Sequence, residues 1–306
     1  MNSNGATLVT GASGYIGQHL LQHYFEKGVD SKAYTRSAKP EYLKNINWIQ
    51  GDILDYDNLS AAMEGCSKVV HLACSSLNQS YKNLRDDFLV NAMGTINVLQ
   101  AALETNITQV VYLSTAQVYG KSKRLPLAES MQPKPDSPYA RSKLIGEDYC
   151  QIYSTLNKLS TIVLRVFNVY GNDISELQRS SVENIFIQKL KANESITVTN
   201  SDESRDFVHV RDVVRAINWA FDLKVHHDIF NIGSGVETKI IDLARMLKDL
   251  AKSNVEIIQK DEPLQYRLQA DVSKAKQFGF RTKADLKKSL TQLYMNETNL
   301  DNTKEV

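Results

Sequence analysis

Apolar positions in the first half of the chain gather into short runs, separated by segments in which they recur every three or four residues. The runs ATLVT (6–10), SKAYTR (31–36), INWIQGD (46–52), KVVHLA (68–73), QVVYLS (109–114) and STIVLRVF (160–167) predict β-strands. Helical spacing is clear in YIGQHLLQHYFEKG (15–28), where Ile16, Leu20, Leu21, Tyr24 and Phe25 form the apolar set and Gly28 the stop. Further helices are predicted over 56–65, over a long stretch at 86–106, and over about 138–156. A regular β-α-β-α order with mostly apolar strands predicts an α/β fold, a doubly wound parallel sheet covered by helices on both faces. The rhythm loosens after residue 171: helices at about 179–192 and 211–222, a strand at 228–233 and a helix after Thr238 predict a smaller C-terminal α/β lobe. The expected division is 1–171 for the sheet domain and 172–306 for the lobe, with some later segments returning to the first domain.

Composition narrows the function classes. The 36 basic and 35 acidic residues nearly cancel, which leaves no electrostatic footprint for nucleic acid or an anionic membrane. Cys66, Cys74 and Cys150 are odd in number and lack metal-ligand spacing, so neither a disulfide framework nor a metal site is expected. No apolar run is long enough to span a bilayer, and the polar start Met1-Asn2-Ser3-Asn4-Gly5 lacks signal-peptide character. The expectation is a cytoplasmic globular protein with no nucleic-acid and no membrane partner.

The first strand runs into TGASGYIG (10–17), which places Gly11, Gly14 and Gly17 just before and inside the first helix. Glycine allows a tight turn and close backbone approach to a pyrophosphate, and the helix N-terminus adds N–H groups and a positive dipole end. The spacing GxxGxxG differs from the usual GxGxxG, but its place between first strand and first helix points to a dinucleotide. In NAD-binding sheets the second strand ends in Asp or Glu, which bonds the ribose hydroxyls. Here it ends AYTRSAKP: Asp30 comes before the strand, and the tip carries Thr35, Arg36 and Ser37, with Lys39 nearby. A guanidinium can grip a 2′-phosphate in a bidentate fork, so NADP(H) is preferred and NAD(H) is the alternative. In GDI (51–53), Asp52 either bonds an adenine amino group or caps a turn.

Two further stretches carry candidate chemistry. In SPYARSKLIGE (137–147), Tyr139 and Lys143 are four apart and share a helix face. A free phenol has a pKa of about 10 and is a poor base, whereas a nearby ammonium stabilises the phenolate. Tyr139 is then suited to exchange a proton with a carbinol or carbonyl oxygen during hydride transfer. In LSTAQVYG (113–120), the hydroxyl of Thr115 at the strand end is placed to orient that oxygen. The bland readings are an ordinary exposed Tyr–Lys pair and an ordinary strand end.

Taken in order, TGASGYIG (10–17), GDI (51–53), VVHLA (69–73), NAMGTINVL (91–99), STAQVYG (114–120), YARSK (139–143), LRVFNVYG (164–171), SRDFVHVRDV (204–213), FNIGSG (230–235) and LQADVSKAKQFGF (268–280) span nearly the whole chain. On these motifs the chain resembles the extended short-chain dehydrogenase/reductase family, the branch of nucleotide-sugar epimerases, dehydratases and ketoreductases. The resemblance implies a Rossmann-type NAD(P)-binding domain and a lobe that binds a nucleotide-diphosphate sugar. It implies Thr115, Tyr139 and Lys143 as catalytic residues, with Tyr139 and Lys143 also at the cofactor. Gly11, Gly14 and Gly17 would hold the pyrophosphate, with Ser13, Tyr15 and Ile16 of the same turn, and Arg36, Asp52 and Ile53 would lie at the adenosine end. Leu72, Ala73 and Asn91 would line the cofactor cleft. Gln117, Asn168, Arg205 and Arg267 would meet the substrate, although Arg205-Asp206 on its own reads as a surface pair. Family members often carry proline after the VYG of the sixth-strand motif; here Asn172-Asp173 follow Gly171, which predicts a different substrate loop.

The pair after Thr115 selects among reactions. In the dehydratases it is an acid pair that protonates the leaving hydroxyl and removes the C5 proton. Ala116 has no proton to exchange and Gln117 does not titrate, so that elimination is not expected. The NADP-like second strand favours a cofactor that dissociates. The expected function is NADPH-dependent reduction of a nucleotide-linked 4-keto-6-deoxy sugar; the alternative is a nucleotide-sugar 4-epimerase with retained NAD(P), and a third reading is a non-catalytic NADP-binding sensor. The resemblance also implies a homodimer, with the helices at 86–106 and 138–156 as its interface.

Overall fold

The computed structural model describes residues 5–40, 45–171, 181–260, 262–263 and 266–302. Its first six strands are β1 (Ala6–Thr10), β2 (Ser31–Thr35), β3 (Asn47–Gln50), β4 (Cys66–His71), β5 (Gln109–Thr115) and β6 (Ser160–Val166). They are followed by β7 (Asn168–Tyr170), β8 (Ile196–Val198), β9 (Ser204–His209), β10 (His227–Ile232), β11 (Glu237–Lys239) and β12 (Ile257–Gln259). The helices are α1 (Tyr15–Lys27), α2 (Tyr56–Met63), α3 (Leu77–Lys82), α4 (Leu84–Phe88), α5 (Gly94–Glu104) and α6 (Pro138–Asn157). Later come α7 (Val182–Lys191), α8 (Val210–Asp222), α9 (Ile240–Leu250), α10 (Ser273–Gln277) and α11 (Leu286–Asn302). Two compact units result: Met1–Gly120, Glu129–Val166 and Val214–Asn231 form the first, and Lys121–Ala128, Phe167–Val213 and Ile232–Val306 the second.

The first unit is built on a seven-stranded sheet in the order β10-β6-β5-β4-β1-β2-β3. Neighbours from β6 to β3 all pair in parallel, the geometry expected from apolar strands joined by helices. Every residue of β1 is buried, and Val110, Val111 and Tyr112 of β5 are fully buried, so both faces of these strands are covered. The chain leaves β1 toward β2 on one side and returns as β4 on the other. That reversal opens a crevice beyond the carboxyl ends of β1 and β4, where ligands of such sheets bind.

Local signals explain the helices. Gly28 ends α1 in the left-handed region at φ 66°, as the stop signal predicts. Leu20, Leu21 and Tyr24 are buried, whereas Phe25, counted in the apolar set, is 51% exposed. The predicted continuous helix at 86–106 is broken: α4 passes into a π-turn at Leu89–Met93, where the N–H of Gly94 reaches the carbonyl of Leu89, before α5 begins. The short α3 was not predicted; its Ser76 and Gln79 form a capping box.

The second unit carries a three-stranded sheet, β11-β9-β7, and the pair β12-β8. Its core gathers Phe186 and Ile187 of α7, Leu243 and Leu247 of α9, and Leu290 and Leu293 of α11. The expected substrate loop at Asn172-Asp173 lies outside the described residues, as do the first two positions of the helix predicted from 179. Among the described residues no helix is long and apolar enough to cross a membrane, and no group of three His, Cys, Asp or Glu side chains is set to hold a metal.

His71 ties the crevice floor together. Its Nδ1 lies 2.7 Å from Thr10 Oγ1 and its Nε2 3.0 Å from Thr95 Oγ1. Thr95 donates its proton to the carbonyl of Asn91, so hydrogen-bond logic puts the ring proton on Nε2 and makes Nδ1 the acceptor. Burial, with Lys143 in support, pushes the His71 pKa down to about 3. The unfolded chain therefore takes up this proton first, and the neutral ring's contribution to stability is lost as pH falls from about 6.5 toward 3, by at most about 4–5 kcal/mol. Urea midpoints measured between pH 6.5 and 4 should fall less steeply in His71→Gln than in the parent; equal slopes would remove His71 from the acid response.

Candidate active site

A cavity of about 210 Å³ opens at the crevice. Gly11, Ser13 and Gly14 form one wall, Thr35, Arg36 and Ser37 the β2 tip, Asp52 and Ile53 a third side, and Leu72, Ala73, Cys74 and Val90 the remainder. Gly11 sits at φ +66°, and a Cβ there would lie 2.5 Å from the backbone N of Ala73, so only glycine lets the turn close on β4. Gly14 is the N-cap of α1; no side chain caps it, and the first turn carries no acid. A helix that begins this way presents its backbone N–H groups and positive dipole end to an anion. The turn and helix start therefore fit a dinucleotide pyrophosphate. Tyr15, Ile16 and Gly17 follow as the first turn of α1 rather than as cavity wall, and Gly17 packs beneath the turn, where a Cβ would lie 2.6 Å from the carbonyl oxygen of Gly11.

Hydroxyls join this turn to the tip of β2. Ser13 Oγ lies 2.7 Å from Thr35 Oγ1 and donates to Ser37 Oγ at 3.2 Å. Arg36 approaches Asp52 at only 3.9 Å, with side chains 70% and 39% exposed, a pair of little energetic weight that leaves the guanidinium able to turn to a ligand. Asp52 meets both sequence readings: it faces the cavity and its Oδ1 accepts the Leu54 N–H at 3.0 Å. Asn91 corrects an expectation. It does not line the cavity; its Oδ1 accepts the Ser75 N–H at 2.7 Å, and its Nδ2 donates to Asp87 at 2.8 Å and Ser142 at 3.0 Å. From the π-turn it thus braces the loop after β4 and α4 against α6.

Helix α6 presents Tyr139 and Lys143 through a well-formed start. Ser137 is the N-cap, its Oγ accepting the Ala140 N–H at 3.2 Å, and Pro138 occupies the first turn, where its missing N–H costs nothing. Lys143 is buried, with Nζ 4.1 Å from the centre of the Tyr112 ring. Burial pulls its pKa down, while Cys74, Cys150, Glu147 and Asp87 act to keep the ammonium. The expectation that Lys143 would lower the Tyr139 pKa is corrected here. Burial pushes Tyr139 well above its ordinary value, Cys74 and Asp87 add to this, and only a hydrogen bond with Thr115 acts the other way. At neutral pH Tyr139 is a protonated donor. Cys74, in the cavity wall, acts electrostatically on both Tyr139 and Lys143.

Thr115 caps a 3₁₀ turn, accepting the Gln117 N–H at 3.2 Å. Ala116 is buried, and Gln117 Oε1 is a buried acceptor without a hydrogen-bond partner among the described residues. In the second unit, Arg205 donates from Nη1 to the carbonyls of Ser204 and Tyr266 and pairs with Glu203, while Arg267 grips Glu237 at 2.9 and 3.0 Å. Arg205 and Asp206 are not the surface pair that adjacency suggested. Asp206 is fully buried and accepts from Ser234, Gly235 and Ala270. Asn168 of β7 pairs in register with Phe207 of β9, two residues from Arg205, so both side chains share a face of the small sheet. The carboxylates around Lys143, Asp87 and Glu147, escaped sequence reasoning; Glu147 was signalled only by its spacing of four from Lys143.

The chain matches the NAD dependent epimerase/dehydratase family over residues 7–233. It is 32% identical over 296 residues to a putative UDP-glucose 4-epimerase of Methanocaldococcus jannaschii, covering 94% of this chain and 96% of that one. Among solved structures it resembles the UDP-glucose 4-epimerase of Thermotoga maritima with UDP-glucose, at TM-score 0.88 and 26% identity over 96% of this chain and 99% of that one. It also resembles RMD of Pseudomonas aeruginosa complexed with NADPH, at TM-score 0.79 and 27% identity over 95% and 98%. Members of the family are NAD(P)-dependent epimerases, dehydratases and reductases acting on nucleotide sugars. With a glycine turn against β4, a Tyr–Lys helix beside it and the family's motifs across most of its length, the chain belongs to the NAD-dependent epimerase/dehydratase family.

Proposed function

We propose that the chain uses NADPH to reduce the 4-keto group of a nucleotide-linked 4-keto-6-deoxy sugar. The observation that carries this reading is the β2 tip, where Thr35, Arg36 and Ser37 face the cavity and no carboxylate stands at the strand end. Arg36 would hold the 2′-phosphate, with the hydroxyls of Ser13 and Ser37 beside it, and the turn at Gly11 and Gly14 would hold the pyrophosphate. Bound NADPH supplies the hydride and leaves as NADP. Tyr139, protonated at neutral pH, donates its proton to the oxygen at C4, Thr115 orients that oxygen, and Lys143 holds positive charge beside them. Ala116 and Gln117 offer neither the acid nor the base of an elimination. Asn168, Arg205 and Arg267 would take the substrate diphosphate; because both guanidinia are engaged by Glu203 and Glu237, phosphate would share or displace those carboxylates.

A second reading is supported by the Methanocaldococcus jannaschii relative: a 4-epimerase that retains its cofactor and reduces the intermediate on the opposite face. Denaturing the purified protein separates the two. A dissociable NADPH site supports the reductase, and stoichiometric NAD or NADP released on denaturation supports the epimerase. The three free cysteines agree with a cytoplasmic setting.

We also infer a homodimer formed through α4, α5 and α6. Phe88 of α4 is 48% exposed, and Ile152 and Leu156 of α6 are 43% and 75% exposed, an apolar surface that a second copy would cover.

Three measurements bear on these readings. Tyr139→Phe should bind NADPH as the parent does and lose about 10²- to 10⁴-fold in kcat on dTDP- and GDP-linked 4-keto-6-deoxy sugars; unchanged turnover would remove Tyr139 from the chemistry. Arg36→Asp should weaken NADPH by about tenfold or more relative to NADH, and a preserved 2′-phosphate preference would show the grip lies elsewhere. Light scattering should report a dimer for the parent and a monomer for Leu156→Glu.

A further inference from the structure

Beyond the trio, α6 carries a third buried group on the same stripe. Tyr139, Lys143 and Glu147 are spaced four apart, and Glu147 is 2% exposed. Its carboxylate is gripped from β6 by Arg165, with Nε at 3.1 Å from both oxygens and Nη2 at 2.7 Å from Oε2. The same carboxylate accepts a hydrogen bond from Ser114 Oγ. Ser114 and Arg165 are themselves partners in the β5–β6 register, and Ser114 directly precedes Thr115. One carboxylate therefore joins three elements at the point where β5 delivers Thr115 to Tyr139.

Arg165 is held on its other side as well. Its guanidinium carbon lies 4.9 Å from the centre of the Tyr119 ring, and the Tyr119 hydroxyl donates to Asn231 at 2.7 Å. Burial alone would lower the Arg165 pKa, but Glu147 and Tyr119 more than offset it, so the guanidinium is permanently charged. An ion pair this deep contributes little net stability against a well-packed apolar pair of the same volume. What it does provide is direction: a bidentate fork fixes the angle between the strand and the helix that bear it.

We propose that the Glu147–Arg165 pair, acting through Ser114, is a positioning device that sets Thr115 against Tyr139 and Lys143. This rests on the catalytic reading of those three residues. Glu147 has a second effect through charge. Lys143 faces Asp87 from α4, Cys74 from the loop after β4, His71 from β4, Tyr112 from β5, and Glu147 and Cys150 on its own helix; Asp87 and Glu147 are the carboxylates favouring the ammonium. Loss of the Glu147 charge would let Lys143 deprotonate at lower pH.

The test replaces the pair by apolar residues of similar volume, Glu147→Leu with Arg165→Met, a change that preserves folding in other buried pairs. The melting temperature should stay close to the parent's. Turnover of the same 4-keto-6-deoxy sugars should fall about tenfold or more with KM and NADPH affinity little changed. The alkaline limb of the kcat profile should move to lower pH, and the Gln117 amide, bonded to Thr115 Oγ, should exchange faster with deuterium. Ser114→Ala cuts only the link to β5 and should lower kcat in the same sense with the fold intact. A folded double variant with parental kcat, pH profile and Gln117 protection would overturn the proposal; if the double variant does not fold, parental kcat and protection in Ser114→Ala would do so. Tyr139→Phe run in parallel separates the levels: if it retains full activity the catalytic reading fails, whereas if it is inactive while the pair variants are unaffected only the positioning role fails.

Discussion

An ammonium buried at the end of a parallel sheet is the constraint around which the first unit is arranged. An isolated charge of that kind costs several kcal/mol even after relaxation. Lys143 meets the cost with the electron-rich face of Tyr112 and with carboxylates from two helices, Asp87 and Glu147. The neighbouring imidazole of His71 is held neutral between two threonines, so no second cation competes for the same space. Each carboxylate is tied down in turn, Asp87 by Asn91 and Glu147 by Arg165, so charge placement and backbone placement are one problem. The cofactor cavity inherits its shape from this arrangement, because the loop after β4 that lines it is held by Thr10 and Asn91.

Much of the fold could be read from the chain because its cues are local. The apolar runs at 6–10, 109–114 and 160–167 have no amphipathic alternative, and Gly28 and the Ser137-Pro138 pair mark helix ends by backbone geometry alone. The glycine turn was legible for the same reason: only glycine fits at Gly11. What escaped depends on partners distant in sequence. Asp206 reads as half of a surface pair, yet its acceptors serve Ser234, Gly235 and Ala270, up to 64 residues away. The proton affinity of Tyr139 is hidden from the sequence, because a four-residue spacing reveals a neighbouring ammonium but not the desolvation that raises the phenol's pKa. Asn91 sits in a recognisable motif, but the turn that aims it at Ser75, Asp87 and Ser142 leaves no trace in hydrophobic periodicity.

The second unit distributes its charges differently. Its arginines near β9 are committed to carboxylates, Arg205 to Glu203 just before its own strand and Arg267 to Glu237 of β11, and its deepest carboxylate to backbone amides. A pre-paired guanidinium can give up a carboxylate for a phosphate of similar geometry at small net cost, since one bidentate acceptor replaces another. Such a surface avoids bare positive charge.

The π-turn at Leu89–Met93 has a consequence for how this stretch of chain can vary. Its carbonyl-to-amide closure from Leu89 to Gly94 holds one more residue than an α-helical turn does. Removing one residue from this turn would restore a plain α-helical turn, because the wider turn absorbs the roughly 100° that the extra residue would otherwise add, and the helix beyond would keep its facing. Thr95, beyond the turn, would keep His71, while the widened stretch that aims Asn91 at Ser142 would be lost. The extra residue is therefore a local means of aiming one side chain while the helix that follows stays undisturbed.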